Sequence, residues 1–260
     1  MKVKTEETKR LKTEEIVKRI LIFLARKGAS SKWQIANELG LAYSSVHKVI
    51  NRLLKAQLIQ VVNKRKSERN PKIEVEYYNI SATGLINLIC LNVVWDAIDE
   101  IAEAQSEFLP LIFGKWRFFK ENKLRDVIVD RLWLAFYDIT SHFRFKDLAL
   151  RQIIVLEKAK DKDKQELEKV FESMDSFMKT VVLNEITEKV IFGYPDTTTI
   201  QEQQKFLSVL RKDPDLRRYI TRTLEQKERK YVKWLEHIRF LRSWWLSTSE
   251  EELKEESKKK

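Results

Sequence analysis

Residues 31–80 place two short helical patterns around one glycine and then two strand-like runs around a basic loop, an order that few folds accommodate. Ser31 is a candidate N-cap, and Trp33, Ile35, Ala36 and Leu39 behind it have the spacing of a short amphipathic helix. Gly40 ends that helix. A second pattern sets Val46, Val49, Ile50 and Leu53 on one stripe and Ser44, Ser45, His47, Lys48, Asn51, Arg52 and Lys55 away from it. One side packs, and the other is left to bind.

The runs 58–62 and 74–80 are rich in β-branched and aromatic residues with partial alternation. The loop between them holds Lys64, Arg65, Lys66, Arg69 and Lys72 against the single acid Glu68. A helix, a glycine turn and a polar-faced second helix let the second helix enter a major groove of roughly 12 Å. A basic loop at a hairpin tip reaches phosphates or the minor groove beside it. The expected fold of 13–91 is therefore a winged helix-turn-helix with a two-stranded β wing.

The run Ala42-Tyr43-Ser44-Ser45-Val46-His47-Lys48-Val49-Ile50-Asn51-Arg52-Leu53, with Tyr77-Tyr78-Asn79-Ile80-Ser81-Ala82-Thr83-Gly84-Leu85, resembles prokaryotic winged-helix transcription regulators of the broad MarR, ArsR and PadR-like group. The resemblance covers about the first third of the chain. It implies a reading helix with serines at its start, a basic wing, and a Tyr-x-x-Ser-x-x-Gly passage from the second wing strand into the next helix. Ala42 departs from it, since a better N-cap is expected there.

Charge follows the same division. Residues 1–91 carry 18 Lys and Arg against 8 Asp and Glu, whereas 92–260 carry 32 against 31. Basicity confined to one region is the electrostatic footprint of a polyanion site. Part of it lies in 1–12, a basic N-terminal arm that either lies on the phosphate backbone or is a solvated terminus.

With 260 residues, 43% of them hydrophobic, the chain can form two ordinary domains with real cores. Cys90, the one cysteine, sits in an apolar run and reads as a packing residue. Without an apolar leader or a long uninterrupted apolar stretch, a cytoplasmic protein with no membrane contact is expected.

Five glycines and four prolines suit a mostly α protein. Helices are expected at 13–27, 85–109, 121–143, one or two within 145–192, then 199–211 and 215–246. The all-α region 92–247 reads as a dimerisation or effector domain, and 248–260 as a frayed, charged C-terminal tail. In the last helix Leu216, Ile220, Leu224, Tyr231, Trp234, Ile238, Leu241 and Trp245 recur at spacings of three, four or seven, interrupted at Lys227. That stripe is either core, packed against Trp95, Trp133 or Phe136, or the seam of a homodimer. Trp244-Trp245 belongs to interface or core, and the alternating charges of 157–166 to a solvated helix end or loop.

No catalytic residue, metal site or cofactor is expected. His47, His142 and His237 are far apart and lack metal-ligand spacing, and no phosphate-binding, dinucleotide-binding or nucleophile-elbow motif occurs. Asp126, Asp130 and Asp138 can share a helix face, but Lys123, Arg125 and Arg131 are near enough for ordinary ion pairs. The expected function is binding of double-stranded DNA as a homodimeric, sequence-specific transcription regulator. Ser44, Ser45, His47, Lys48, Asn51, Arg52 and Lys55 would contact bases and nearby phosphates, and Lys64, Arg65, Lys66, Arg69 and Lys72 would hold the backbone. A winged-helix protein-interaction or architectural chromatin module, and a plasmid or viral replication initiator, are the alternatives. A small-molecule effector pocket in the helical region stays open.

Overall fold

The computed structural model describes residues 2–66, 72–90, 94–143, 148–193 and 199–258, with the side chains of 2–12, 90, 140–143, 148–150 and 246–258 left aside. Arg69, Cys90 and His142 therefore lie outside the described side chains. The chain divides into two compact units, 1–203 and 204–260.

In the first unit, α1 (Lys2–Lys27) buries Val17, Ile20, Leu21 and Leu24. The helix begins well before residue 13, so the segment expected as an arm is helical. Its Glu, Lys and Thr run holds no glycine or proline to stop it. Gly28, at a φ of +74°, turns the chain into the two-residue strand β1 (Ser30–Ser31). Ser31 then caps α2 (Lys32–Leu39): its Oγ accepts from the Gln34 amide at 3.3 Å, and Gln34 Oε1 accepts from the Ser31 amide at 2.9 Å. Gly40, left-handed at φ 61°, closes the helix.

α3 (Tyr43–Lys55) buries Val46, Val49, Ile50 and Leu53, as its pattern predicts. Two long strands follow, β2 (Ile59–Lys66) and β3 (Glu74–Ile80). The sheet is antiparallel in the order β1-β3-β2: β2 and β3 form the two-stranded wing, and β1 adds a short third strand beside β3. The added strand pairs Ser30 with Tyr78 and Ser31 with Tyr77, and a register shift between Val61 and Asn63 bends β2. Two residues are too few for alternation to show in a sequence.

The Tyr78-x-x-Ser81-x-x-Gly84 passage has a clear geometry. Ser81 Oγ donates to the Gln57 carbonyl at 2.7 Å and accepts from the Gly84 amide at 3.1 Å, starting α4 (Ala82–Cys90). Gly84 lies so close to the Leu58 carbonyl that a Cβ there would overlap it. The single helix expected at 85–109 is broken, with a 3-10 turn at Trp95–Ala97 leading into α5 (Ile98–Ala104). Gln105 explains the break after α5. Fully buried, it donates to the carbonyls of Leu24 (2.8 Å) and Ala25 (3.0 Å) and exchanges amide hydrogen bonds with Asn79. Arg26 and Glu100 pair at 2.7 Å beside it. Residues beyond 91 thus close the winged helix, and the expected boundary at 91/92 falls inside one compact unit.

α6 (Trp116–Glu121) and α7 (Arg125–Phe143) come next. Then follow α8 (Leu148–Lys158), α9 (Asp161–Phe177), a π turn at Met178–Val182 and α10 (Leu183–Phe192). The alternating charges of 157–166 straddle the break between α8 and α9. Buried Arg131 of α7 donates to the carbonyls of Val190 and Ile191 at the end of α10. Trp95 and Phe136 meet edge to face at 6.2 Å.

α11 (Ile200–Leu210) crosses the division between the units. The second unit is dominated by α12 (Pro214–Lys258), 45 residues long. Its last turns are helical where a frayed tail is expected from the sequence, because Glu, Lys and Leu favour helix and no glycine or proline intervenes. Among the described residues no helix is long and apolar enough to cross a membrane.

Candidate nucleic-acid interface

α3 presents Ser44, His47, Lys48, Asn51, Arg52 and Lys55 to solvent, with Ser45 half-buried. The stripe of Val46, Val49, Ile50 and Leu53 fixes the opposite side in the core, so the polar face cannot rotate away. The helix starts at Ala42, whose side chain caps nothing. The Ser45 amide turns back to the Ala42 carbonyl at 3.0 Å, and this is the end of the helix where the backbone dipole favours an anion.

His47 and Asn51, one turn apart, are joined by Asn51 Nδ2 to His47 Nε2 at 3.1 Å. Lys32 of α2 reaches the same pair, with Nζ 3.4 Å from His47 Nδ1 and 3.5 Å from Asn51 Oδ1. Lys32 is held by the Tyr78 ring, whose centroid lies 5.3 Å from the ammonium. The sequence singled out His47 and Asn51 but missed Lys32. Its position just behind the capping serine was the available signal, since the first turn of α2 abuts the reading helix.

Tyr78 is itself fixed. Its hydroxyl donates to Glu76 Oε2 at 2.6 Å, and burial together with that carboxylate pushes its pKa up. Glu76 also pairs with Lys64 at 3.0 Å, so the Tyr78 and Lys64 hydrogen bonds hold its carboxyl below the usual range. Along the wing, Arg65 lies over the Tyr77 ring at 5.3 Å, and Lys66 and Lys72 are exposed. Arg69 falls in the undescribed tip. Lys32, Lys64 and the wing thus flank the exposed start of α3.

The far end of α3 is different. α8 packs against α3, and Arg52 Nε lies 3.3 Å from Glu157 Oε1. Lys55 contributes to the lowered pKa of Asp161, after the larger effect of Lys164. Two of the expected readers therefore face carboxylates of the same unit, while among the described residues His47, Lys48 and Asn51 do not. Trp33, expected on the packing side of α2, is 61% exposed, and Tyr43 is 54% exposed. Both line the hollow between α2 and the wing, with Lys64 and Ile73. Ile35 and Ala36 alone satisfy the buried side of α2, which leaves Trp33 outside.

Of the ion pairs expected for Asp126 and Asp130, the one between Asp126 and Arg125 forms, at 2.7 Å; Asp138 of the same helix pairs with Lys189 of α10.

Residues 7–102 match the family model described as the TFIIE alpha subunit, a winged-helix transcription-factor family. The match begins in α1 and ends in α5, the helix that closes the winged helix, and covers less than half of the chain. It supports a transcription-related winged-helix domain and does not single out the bacterial regulator groups that the reading-helix motif resembles. No curated protein and no solved structure matches the chain.

Proposed function

We propose that this chain binds double-stranded DNA through the start of α3 and the basic wing, and acts in transcription as a sequence-specific regulator. The observation that carries this reading is the convergence of Lys32, His47 and Asn51 on an exposed helix face flanked by Lys48 and the wing. Asn is suited to pair with adenine in the major groove, and Lys32, Lys48 and Lys66 are placed to neutralise phosphates. Resemblance to a transcription-factor family over residues 7–102 supports the same assignment. The role is one of binding and not of catalysis. A single winged helix spans few base pairs, so we assign a homodimer, held by the C-terminal helices, that reads two half-sites about 34 Å apart.

Selection of a randomised duplex library by the full chain, across a salt series and beside single-stranded DNA, tests this reading. The expected result is a two-fold symmetric motif with steep salt dependence. Within that motif Asn51→Ala relaxes preference at one position by about 1–3 kcal/mol, whereas Lys66→Ala weakens all sequences alike. Salt-dependent binding without enrichment replaces the regulator with an architectural protein. No binding at low salt overturns the DNA assignment in favour of a protein-docking winged helix, the reading that exposed Trp33 and Tyr43 beside the site support.

A further inference from the structure

Every residue of α12 from Glu228 to Trp245 is exposed, including Tyr231 at 59%, Trp234 at 58% and Trp245 at 66%. Leu224, Tyr231, Ile238 and Trp245 recur every seven residues, with Trp234 and Leu241 three residues after the second and third of them, so all six share one face. Lys227 occupies the remaining place in that series. The apolar stripe is therefore not covered within its own unit, and indoles in such numbers are costly to leave in water.

We propose that this face pairs with a second copy of itself, the two α12 helices running antiparallel about an axis at Glu236. The proposal rests on the homodimer part of the function above and supplies its geometry. Three properties of the helix select this arrangement.

The first is charge. The first turns of α12 hold Arg217, Arg218 and Arg222 against the single acid Asp215, and near its end residues 250–256 hold five glutamates against Lys254. Parallel copies would set the basic end beside the basic end and the acidic beside the acidic. Antiparallel copies set each against its opposite.

The second is register. Glu236 is the midpoint of Pro214–Lys258, so an axis there overlaps the two helices over their whole length, about 67 Å at 1.5 Å per residue. Full overlap is also the register that brings the basic and acidic ends together.

The third is the stripe itself. The same axis places Ile238 opposite Trp234 of the other copy, Tyr231 opposite Leu241, and Lys227 opposite Trp245. The cation that interrupts the stripe thereby meets an indole face, a favourable pairing. In a parallel pair Lys227 would face Lys227. At about 100 Å² for each of the six apolar side chains, two copies remove roughly 1,200 Å² from water, the lower end of stable interfaces.

The test is the mass of the full chain by light scattering, together with the separation of spin labels at Gln226→Cys in a Cys90→Ala background. Gln226 lies off the stripe and ten residues from the axis. Antiparallel pairing separates the labels by about 30 Å along the helices, whereas parallel pairing leaves them side by side. The expected result is a dimer with the long separation, dissociated by Trp234→Glu, a surface change made also in the unaltered chain so that it does not depend on the cysteine background. A dimer with adjacent labels, or one indifferent to Trp234→Glu, overturns the antiparallel seam but keeps a homodimer. A monomer at tens of micromolar overturns both and leaves the stripe to a foreign acidic helix or an anionic surface. Duplex affinity on the same samples reports separately on the DNA assignment.

Discussion

Arg52 Nε in α3 lies 3.3 Å from Glu157 Oε1 in α8, so the cation near the end of the reading helix is matched by an acid more than a hundred residues away. Under the proposed function, DNA competes with Glu157 for that guanidinium. Both side chains are nearly half exposed, so screening limits the pair to about 0.2–1 kcal/mol. Removing the acid while keeping its shape, in Glu157→Gln, should strengthen duplex binding about two- to fivefold at low salt, with the gain shrinking as salt rises. Fluorescence anisotropy over a salt series measures it. Unchanged or weaker binding would show that Arg52 makes no contact with DNA.

Gly84 illustrates a motif residue set by a neighbouring backbone. A methyl group there would overlap the Leu58 carbonyl and crowd Ile80, and neither can swing aside as a surface side chain would. Gly84→Ala should cost about 2–3 kcal/mol in urea unfolding, the range of overpacked sites. Ser81→Ala, which loses a helix cap and the bond to Gln57, should cost about 1–2 kcal/mol. A neutral Gly84→Ala would mean that α4 can move away from β2.

Where the structure follows the sequence, the signal was local. Ser31 with Gln34, Gly40, and the Val46, Val49, Ile50, Leu53 stripe are capping and periodicity, which act within one or two turns. Trp33 obeys the same periodicity and is nonetheless exposed, because the pattern does not say which apolar residue finds a neighbour. Lys32 became visible as a site residue only when β3 put the Tyr78 ring beneath it. The break in 85–109 depends on Gln105 reaching α1 and β3, and the masking of Arg52 depends on α8. None of these contacts has a sequence signature, since each joins residues far apart in the chain.

Two buried glutamines should respond in opposite ways to the same substitution. Gln105 bonds the Leu24 and Ala25 carbonyls and the Asn79 amide; the Leu24 carbonyl keeps the Gly28 amide at 2.9 Å, so Gln105→Leu takes the partner from the Ala25 carbonyl and the Asn79 amide and should cost about 2–3 kcal/mol. Gln152 in α8 is as deeply placed, at 3% exposed, yet neither end of its amide has a hydrogen-bond partner among the described residues. Gln152→Leu removes that desolvation cost and should stabilise the fold by up to about 2 kcal/mol. Denaturant midpoints at constant slope decide both. Destabilisation by Gln152→Leu would show that its amide is bonded in solution.

Asp99 gives the fold a defined acid sensitivity. Its carboxylate accepts from Arg125 Nη2 at 2.8 Å and from the indole N–H of buried Trp116 at 2.7 Å, with Lys120 Nζ at 3.3 Å. The Arg125 hydrogen bond first, and those of Trp116 and Lys120 after it, outweigh burial and hold the carboxyl well below the usual range. A pKa depressed in the folded state adds stability that is fully present above the unfolded value near 3.9 and is lost as pH falls below it toward the folded one. The side chain is 38% exposed, so solvent screening reduces the ion-pair part to about 1 kcal/mol at neutral pH. Asp99→Asn keeps an acceptor for Trp116 but removes the charge, and should lose about that amount at pH 7. Asp99→Ala also strands the indole N–H and should lose about 1–2 kcal/mol more. In urea unfolding at pH 7, 5 and 3.5, the gap between Asp99→Asn and the parent should hold from pH 7 to 5 and narrow at 3.5, where the carboxyl of the unfolded parent protonates while the folded one stays ionised. A gap that stays constant to pH 3.5 would mean that Asp99 stabilises through packing and not through its charge.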